Sequence, residues 1–120
     1  MAVTYDAVCE LALHYPGVVE GQAYGTPSLH VGRKLMARLR EDAQTLVIKM
    51  NPGQRDAYFE QAPDTFFLTD HYRSSPVLLV DLATVRREVM AELVEKAWRW
   101  VASSRQLKAY EQAASGQKNV

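Results

Sequence analysis

The segment KLMARLREDAQTLVIKM, residues 34–50, decides the fold because it holds two alternating apolar patterns joined by a short polar connection. A period of two is typical of a strand that buries one side, and two such runs around a short turn predict an antiparallel hairpin. The buried side is predicted to carry Leu35, Ala37, Leu39, Leu46 and Ile48. The solvent side is predicted to carry Lys34, Met36, Arg38, Arg40, Val47 and Lys49.

Patterns on both sides of this hairpin complete a predicted element order of α-β-β-β-β-α-β-β-α. Helices are predicted at about 4–15, 51–62 and 84–102, with a weaker one over 107–112. Further strands are predicted at about 22–24, 28–31, 65–69 and 77–82. Hairpins interrupted by a helix favour an α+β fold, here a two-layer domain whose antiparallel sheet has helices packed on one face.

The length and composition predict one domain over residues 1–120, ordered from about 3 to 112, with a frayed C-terminal tail. A content of 48% hydrophobic and 23% charged residues is enough to bury a core. The 14 basic and 14 acidic residues balance, which weighs against non-specific coating of nucleic acid but allows a local patch. The N-terminus lacks a basic signal-peptide start and no apolar run approaches the ~20 residues of a membrane helix, so we expect a cytoplasmic protein without a membrane partner.

Residues that carry catalysis or bind metals are few and scattered. Cys9 is the single cysteine and has no Lys or Arg in the first thirty residues to activate it, so we expect a small buried side chain. His14, His30 and His71 lack metal-ligand spacing, and neither a Gly-rich phosphate loop nor a serine-hydrolase motif is present. We therefore expect no enzyme, no metal and no cofactor.

Positive charge collects in one part of the sequence, since residues 31–55 contain six basic and two acidic side chains. The alternation places Lys34, Arg38, Arg40 and Lys49 opposite the core, with Arg33 beside them. A two-stranded ribbon with such a face can contact DNA. The alternative is an ordinary solvated surface, because antiparallel strands usually carry Lys and Arg on their wet side.

Three segments carry a family resemblance. They are LALHYPGVVEGQAYGTPSLHVGRKLMARL at 11–39, TLVIKMNPGQRDAYFEQAP at 45–63, and DHYRSSPVLLVDL at 70–82 running into a helix that contains EKAWRWV at 95–101. Together they resemble the MmcQ/YjbR-like family of small bacterial domains. The resemblance implies a two-layer α+β fold, similar to secretion-chaperone-like and frataxin-like arrangements. It also implies DNA binding and brings no catalytic residues.

Many members of that family carry Lys and Trp around a loop histidine, in the pattern K-x-H-W, where this chain has Thr69 and Tyr72 around His71.

Two functions remain open. In the first, the domain binds DNA through one surface made of Arg33, Lys34, Arg38, Arg40, Lys49, His71 and Arg73. In the second, the open sheet face or the groove beside YGTPS, residues 24–28, binds a protein, a small ligand or a second copy of the chain, with no nucleic-acid activity.

Overall fold

The computed structural model describes the backbone of residues 3–118 and the side chains of residues 3–113. The helices are α1 (Tyr5–Ala12), α2 (Pro52–Gln61), α3 (Arg87–Val101) and α4 (Ser104–Lys118), with a short 3-10 helix at Asp70–Tyr72. The strands are β1 (Val18–Ala23), β2 (Thr26–Val31), β3 (Lys34–Leu39), β4 (Thr45–Lys49), β5 (Phe66–Phe67) and β6 (Val77–Asp81). The predicted α+β class and its strand order along the chain are confirmed.

The six strands form one antiparallel sheet in the order β1-β2-β3-β4-β6-β5. Strand β6 pairs with β4 along its whole length, with Thr45 opposite Asp81 and Lys49 opposite Val77. Strand β6 therefore lies between β4 and β5 and away from the sheet edges, which explains why VLLVD is apolar on both sides. The two edges of the sheet are β1, with six residues, and β5, with two.

One face of the sheet packs against the helices and forms the main core. Helix α3 covers it with a stripe of buried side chains that includes Leu93, Ala97 and Trp98. The Trp98 indole N–H donates to the carbonyl of Pro16 at 2.8 Å, so the largest core side chain is also satisfied as a polar group. The opposite face, called here the outer face, has a smaller cluster of Val47, Val77 and Leu79.

The helix ends follow local hydrogen-bonding chemistry. Thr4 caps α1, its hydroxyl accepting from the Ala7 amide at 3.1 Å, as predicted. Helix α3 begins at Arg87 and not at the predicted position 84, because Asp81 holds the preceding residues in a turn: its carboxylate accepts from the Ala83 amide at 2.9 Å.

Helix α4 extends beyond the predicted 107–112 and reaches Lys118, so the segment predicted to fray is helical that far, while residues 119–120 lie outside the described part. Its Tyr110 ring packs on Trp98 with 5.1 Å between ring centroids. Within residues 3–118, no helix combines the length and the hydropathy needed to cross a membrane.

Candidate functional site

A β-bulge in β3 determines which side chains reach the outer face. Leu29 pairs with Ala37 whereas His30 pairs with Leu35, so Met36 is left without a partner. Because of this extra residue in the strand, the Met36 side chain points into the core, where it is fully buried. The Leu35 side chain points to the outer face, where it is half-buried. The predicted sides of Leu35 and Met36 are therefore wrong, because period-two alternation does not hold through a bulge.

Arg38 lies on the outer face as predicted but is buried, with only 7% of its surface exposed. Its Nη1 donates to the Thr26 hydroxyl at 3.2 Å, to the Leu39 carbonyl at 3.4 Å and to Glu41 at 3.2 Å. Its Nη2 donates to the Tyr72 hydroxyl at 3.0 Å. The guanidinium is thus fixed between two hairpins and the loop that carries Tyr72.

The charge of Arg38 is only partly compensated. Glu41 is its single carboxylate partner among the described residues, and the Glu41 side chain is 66% exposed. Burial alone would lower the pKa of Arg38, but the hydrogen bonds to Tyr72 and Glu41 outweigh burial and raise the pKa. The guanidinium therefore stays charged, and its other partners are neutral oxygens.

A second aromatic ring lies over Arg38 from the β1–β2 turn. Tyr24 and Gly25 both have positive φ, 55° and 80°, the conformation that two-residue hairpins require. This turn presents the Tyr24 ring 5.1 Å from the Arg38 guanidinium carbon, a cation–π distance, and leaves the side chain 82% exposed.

These groups border a depression on the outer face with a volume of about 400 Å³, called here the sheet pocket. It is lined by Tyr24, Leu35, Met36, Arg38, Val47, Lys49, His71, Tyr72, Ser75 and Val77. Two of these side chains are cations and none is a carboxylate, while tyrosine rings and aliphatic groups supply the apolar wall.

The loop between β5 and β6 closes one side of the sheet pocket. Leu68 and Tyr72 pack on the small outer-face cluster, and the His71 ring meets the Tyr72 ring edge-on at 4.8 Å. Arg55 of α2 donates to the carbonyls of Ser75 and Val77 at 2.8 and 3.1 Å, which anchors the end of the loop. The loop is thus held at its centre by Tyr72 and at its end by α2.

The predicted basic residues do not share one surface. Arg33 is exposed in the β2–β3 turn, and Arg40 is half-exposed just beyond β3. Lys34 pairs with Val31, a core residue, and lies on the helix side beside the exposed Trp100. Lys49 borders both this Trp100 groove and the sheet pocket.

His71 and Arg73, the two predicted site residues in the β5–β6 loop, differ in their surroundings. Arg73 is exposed and donates to Asp70 at 2.9 Å, so an opposite charge lies beside it. His71 is exposed at the rim of the sheet pocket. The sequence thus predicted three residues that line the sheet pocket, Arg38, Lys49 and His71, and it separately singled out the segment that contains Tyr24.

The described residues give little support for nucleophilic catalysis or for metal binding. Ser28 lies 2.7 Å from His30 Nε2, a pair that the sequence pattern does not indicate, but Ser28 is only 1% exposed and unavailable to a substrate. Cys9 is buried, and burial, aided by the charge of Glu20, raises its pKa to about 11. No cluster of three or more potential metal ligands occurs within the part of the chain that the structure describes.

The architecture defines the class of protein. It is a two-layer α+β domain with one antiparallel sheet, helices on one face and a cation-lined pocket on the other. The sequence model of the YjbR family matches residues 13–100. The chain therefore belongs to the YjbR family, and the resemblance found in the sequence is confirmed.

A similar solved structure supports the same fold. It is the crystal structure of Deinococcus radiodurans protein DR2400, with family-model domain DUF419, at a TM-score of 0.73 and 19% sequence identity. The match covers 88% of this chain and 86% of that chain. A likeness at this identity concerns the fold alone. A search of the curated proteins gives no match.

Proposed function

We propose that this chain is a ligand-binding domain without catalytic activity, and that the sheet pocket binds a small organic anion with a flat apolar body. The support is the sign of charge in the lining, where Arg38 and Lys49 are cationic and none of the described residues that line the pocket is a carboxylate. The Tyr24 and Tyr72 side chains both contact Arg38, and their rings offer apolar surface in the lining.

The single observation that carries the proposal is the state of Arg38. A buried charge is costly unless it is paired, and Glu41, the one carboxylate among the described residues that reaches Arg38, is mostly exposed to solvent. An anion in the sheet pocket would complete the pairing at low dielectric, where the attraction is stronger than in water. The site therefore restricts the sign of the ligand's charge more strongly than it restricts the ligand's shape.

The size of the sheet pocket limits the ligand. Its volume of about 400 Å³ lies at the lower end of the range for small-molecule sites. An aromatic carboxylate or a phosphorylated ring of one or two cycles fits such a volume. A folded protein domain does not, although a single side chain of one could enter.

Thermal unfolding with phenyl phosphate as the probe tests the proposal. We expect the probe to raise the unfolding temperature progressively as its concentration increases, and logarithmically above the dissociation constant, because it binds only the folded chain. Lys49→Gln should abolish most of this shift. Lys34→Gln is the matched control, since Lys34 lies on the helix side, and it should keep the shift. Equal loss in both variants, or no shift in the unchanged protein, would contradict the proposal.

Nucleic-acid binding is the second candidate, and a specific observation favours it. The Trp100 groove combines an indole that is 44% exposed with the ammonium groups of Lys34 and Lys49. An aromatic ring beside cations is the arrangement that stacks a base and contacts its phosphate. Arg38 is excluded from this surface by its burial, whereas Arg33 is exposed near Lys34.

A salt titration of single-stranded DNA affinity tests this second candidate. The logarithm of the binding constant should fall with the logarithm of salt concentration, and Lys34→Gln should reduce the slope by about one contact, roughly 0.7. Arg73→Gln serves as the control, because its charge is already paired with Asp70. A flat salt dependence would count against nucleic acid altogether.

A further inference from the structure

The two edges of the sheet differ in how they are protected from other strands. Strand β5 has only two residues, which is a common protection against pairing. Strand β1 has six residues, contains no proline and no lysine, and carries Glu20 as its only charge. A long, regular and nearly uncharged edge strand favours pairing with another strand.

The backbone groups on the free side of β1 can be assigned from the β1–β2 hairpin. Its two-residue turn at Tyr24-Gly25 makes Ala23 and Thr26 a hydrogen-bonded pair, so Gly21 and Val19 also bond to β2. The bond from the Gly32 amide to the Gly17 carbonyl, at 3.2 Å, continues this alternation. Consequently, the N–H and C=O groups of Glu20 and Gln22 point away from the sheet.

Val18, the next β1 residue whose backbone groups face this free side, is already hydrogen-bonded within the chain. The Val18 amide donates to the Tyr15 carbonyl at 3.4 Å, so it is not free to pair with another strand. Within residues 3–118, Glu20 and Gln22 are therefore the β1 positions whose amide and carbonyl both remain available at this edge. A partner strand has to match this two-residue pattern.

We propose that β1 pairs antiparallel with β1 of a second copy of this chain, with Gly21 opposite Gly21 about a two-fold axis. In this register Glu20 of each copy exchanges two backbone hydrogen bonds with Gln22 of the other, four in all. The side-chain amide of Gln22 then lies opposite the Glu20 carboxylate and can donate to it.

The side chains of the outer face fit the same register. Val19, which is 50% exposed, comes to lie opposite Ala23 of the second copy in a non-hydrogen-bonded pair, where side chains approach closely. Gly21 has no side chain to separate the strands at the axis. The exposed apolar surface of Val19 is thereby covered by its symmetry mate's strand.

One competing register, with Glu20 opposite Glu20, is less favourable for two reasons. It sets two like charges directly across the axis, which is destabilising. It also requires the Val18 amide, which is already engaged by Tyr15. The Gly21 register avoids both problems.

Charge makes the dimer sensitive to salt. The first thirty residues contain Asp6, Glu10 and Glu20 but no Lys or Arg, so two copies bring like charges near each other. Screening weakens this repulsion. The dimer should therefore tighten as salt is added, opposite to the trend for nucleic-acid binding.

Light scattering across a concentration series tests the dimer. We expect the mass to rise from 13.5 kDa towards twice that value as concentration increases into the millimolar range. Val19→Lys should weaken association by about tenfold or more, because it places an ammonium in the covered position. Trp100→Lys is the matched control, an exposed apolar residue on α3, and should change the association by less than about twofold.

Amide hydrogen exchange tests the register. The amides of Glu20 and Gln22 should become protected as concentration rises, while those of Val19, Gly21 and Ala23 are protected at every concentration. The proposal is overturned by a monomer at millimolar concentration, by a dimer that Val19→Lys leaves unchanged, or by a dimer in which Glu20 and Gln22 exchange freely.

Discussion

Arg38 is the residue on which the outer face depends, and its role differs from that of a solvated strand residue. It joins Thr26, Glu41 and Tyr72, which come from three separate parts of the chain. The sequence correctly placed Arg38 opposite the core. It could not show that a loop more than thirty residues away would cover it, because that contact depends on tertiary structure.

Removing this side chain should destabilise the fold. Arg38→Ala leaves the Tyr72 and Thr26 hydroxyls without their partner and opens a cavity, so we expect a loss of about 2–4 kcal/mol in the free energy of unfolding. Urea denaturation measures it. Arg73→Ala, which breaks an exposed pair, should cost less than about 0.5 kcal/mol. Similar effects of the two changes would show that Arg38 is not structural.

Cys9 provides a pH-dependent contribution to stability. Burial raises the pKa of its thiol from 9.0 to about 11, so between these values the folded chain holds a proton that the unfolded chain releases. Stability from this group is complete below about pH 9 and falls as pH rises towards 11.

Cys9→Ala should therefore flatten the decline of the free energy of unfolding between pH 9 and 11, measured by urea titration at each pH. The tyrosines remain in the variant, and burial raises the pKa of Tyr15 to about 12, so part of the decline at the upper end should persist. An unchanged curve would mean that the thiol is accessible in the folded chain.

Among the elements, β3 shows most clearly where sequence patterns stop being informative. Leu35, Met36 and Ala37 are three consecutive apolar residues, so both pleat assignments agree with the sequence. The bulge resolves the choice by burying Met36 and Ala37 together. The flanking elements were predicted because capping residues, alternation and the α3 stripe all act locally.

Two matched substitutions test the bulge. Met36→Ala should reduce the free energy of unfolding by about 2–4 kcal/mol, since the side chain is fully buried in the core. Leu35→Ala, at the half-exposed rim of the sheet pocket, should cost less than about 1.5 kcal/mol. A larger loss for Leu35→Ala than for Met36→Ala would contradict the bulge and support the regular strand that simple alternation predicts.

For the whole molecule, the fold class was predictable because it follows from element order and from apolar faces that each require one partner layer. The candidate site was predictable only in part. The alternation predicts Lys34 and Lys49 together on the outer face, yet the bulge sets Lys34 on the helix side. Both border the Trp100 groove, but only Lys49 reaches the sheet pocket. Site geometry therefore depended on register, which the sequence pattern left open.

We propose that the sheet pocket selects ligands by negative charge. The most direct test is a backbone amide chemical-shift titration with three probes that share one ring: benzoate, benzyl alcohol and benzylamine, which is cationic at neutral pH. We predict that benzoate alone shifts the amides of Leu35, Lys49, Tyr72 and Val77 in a saturable way. Equal shifts with all three probes, or saturable shifts with benzylamine but not with benzoate, would contradict selection by negative charge.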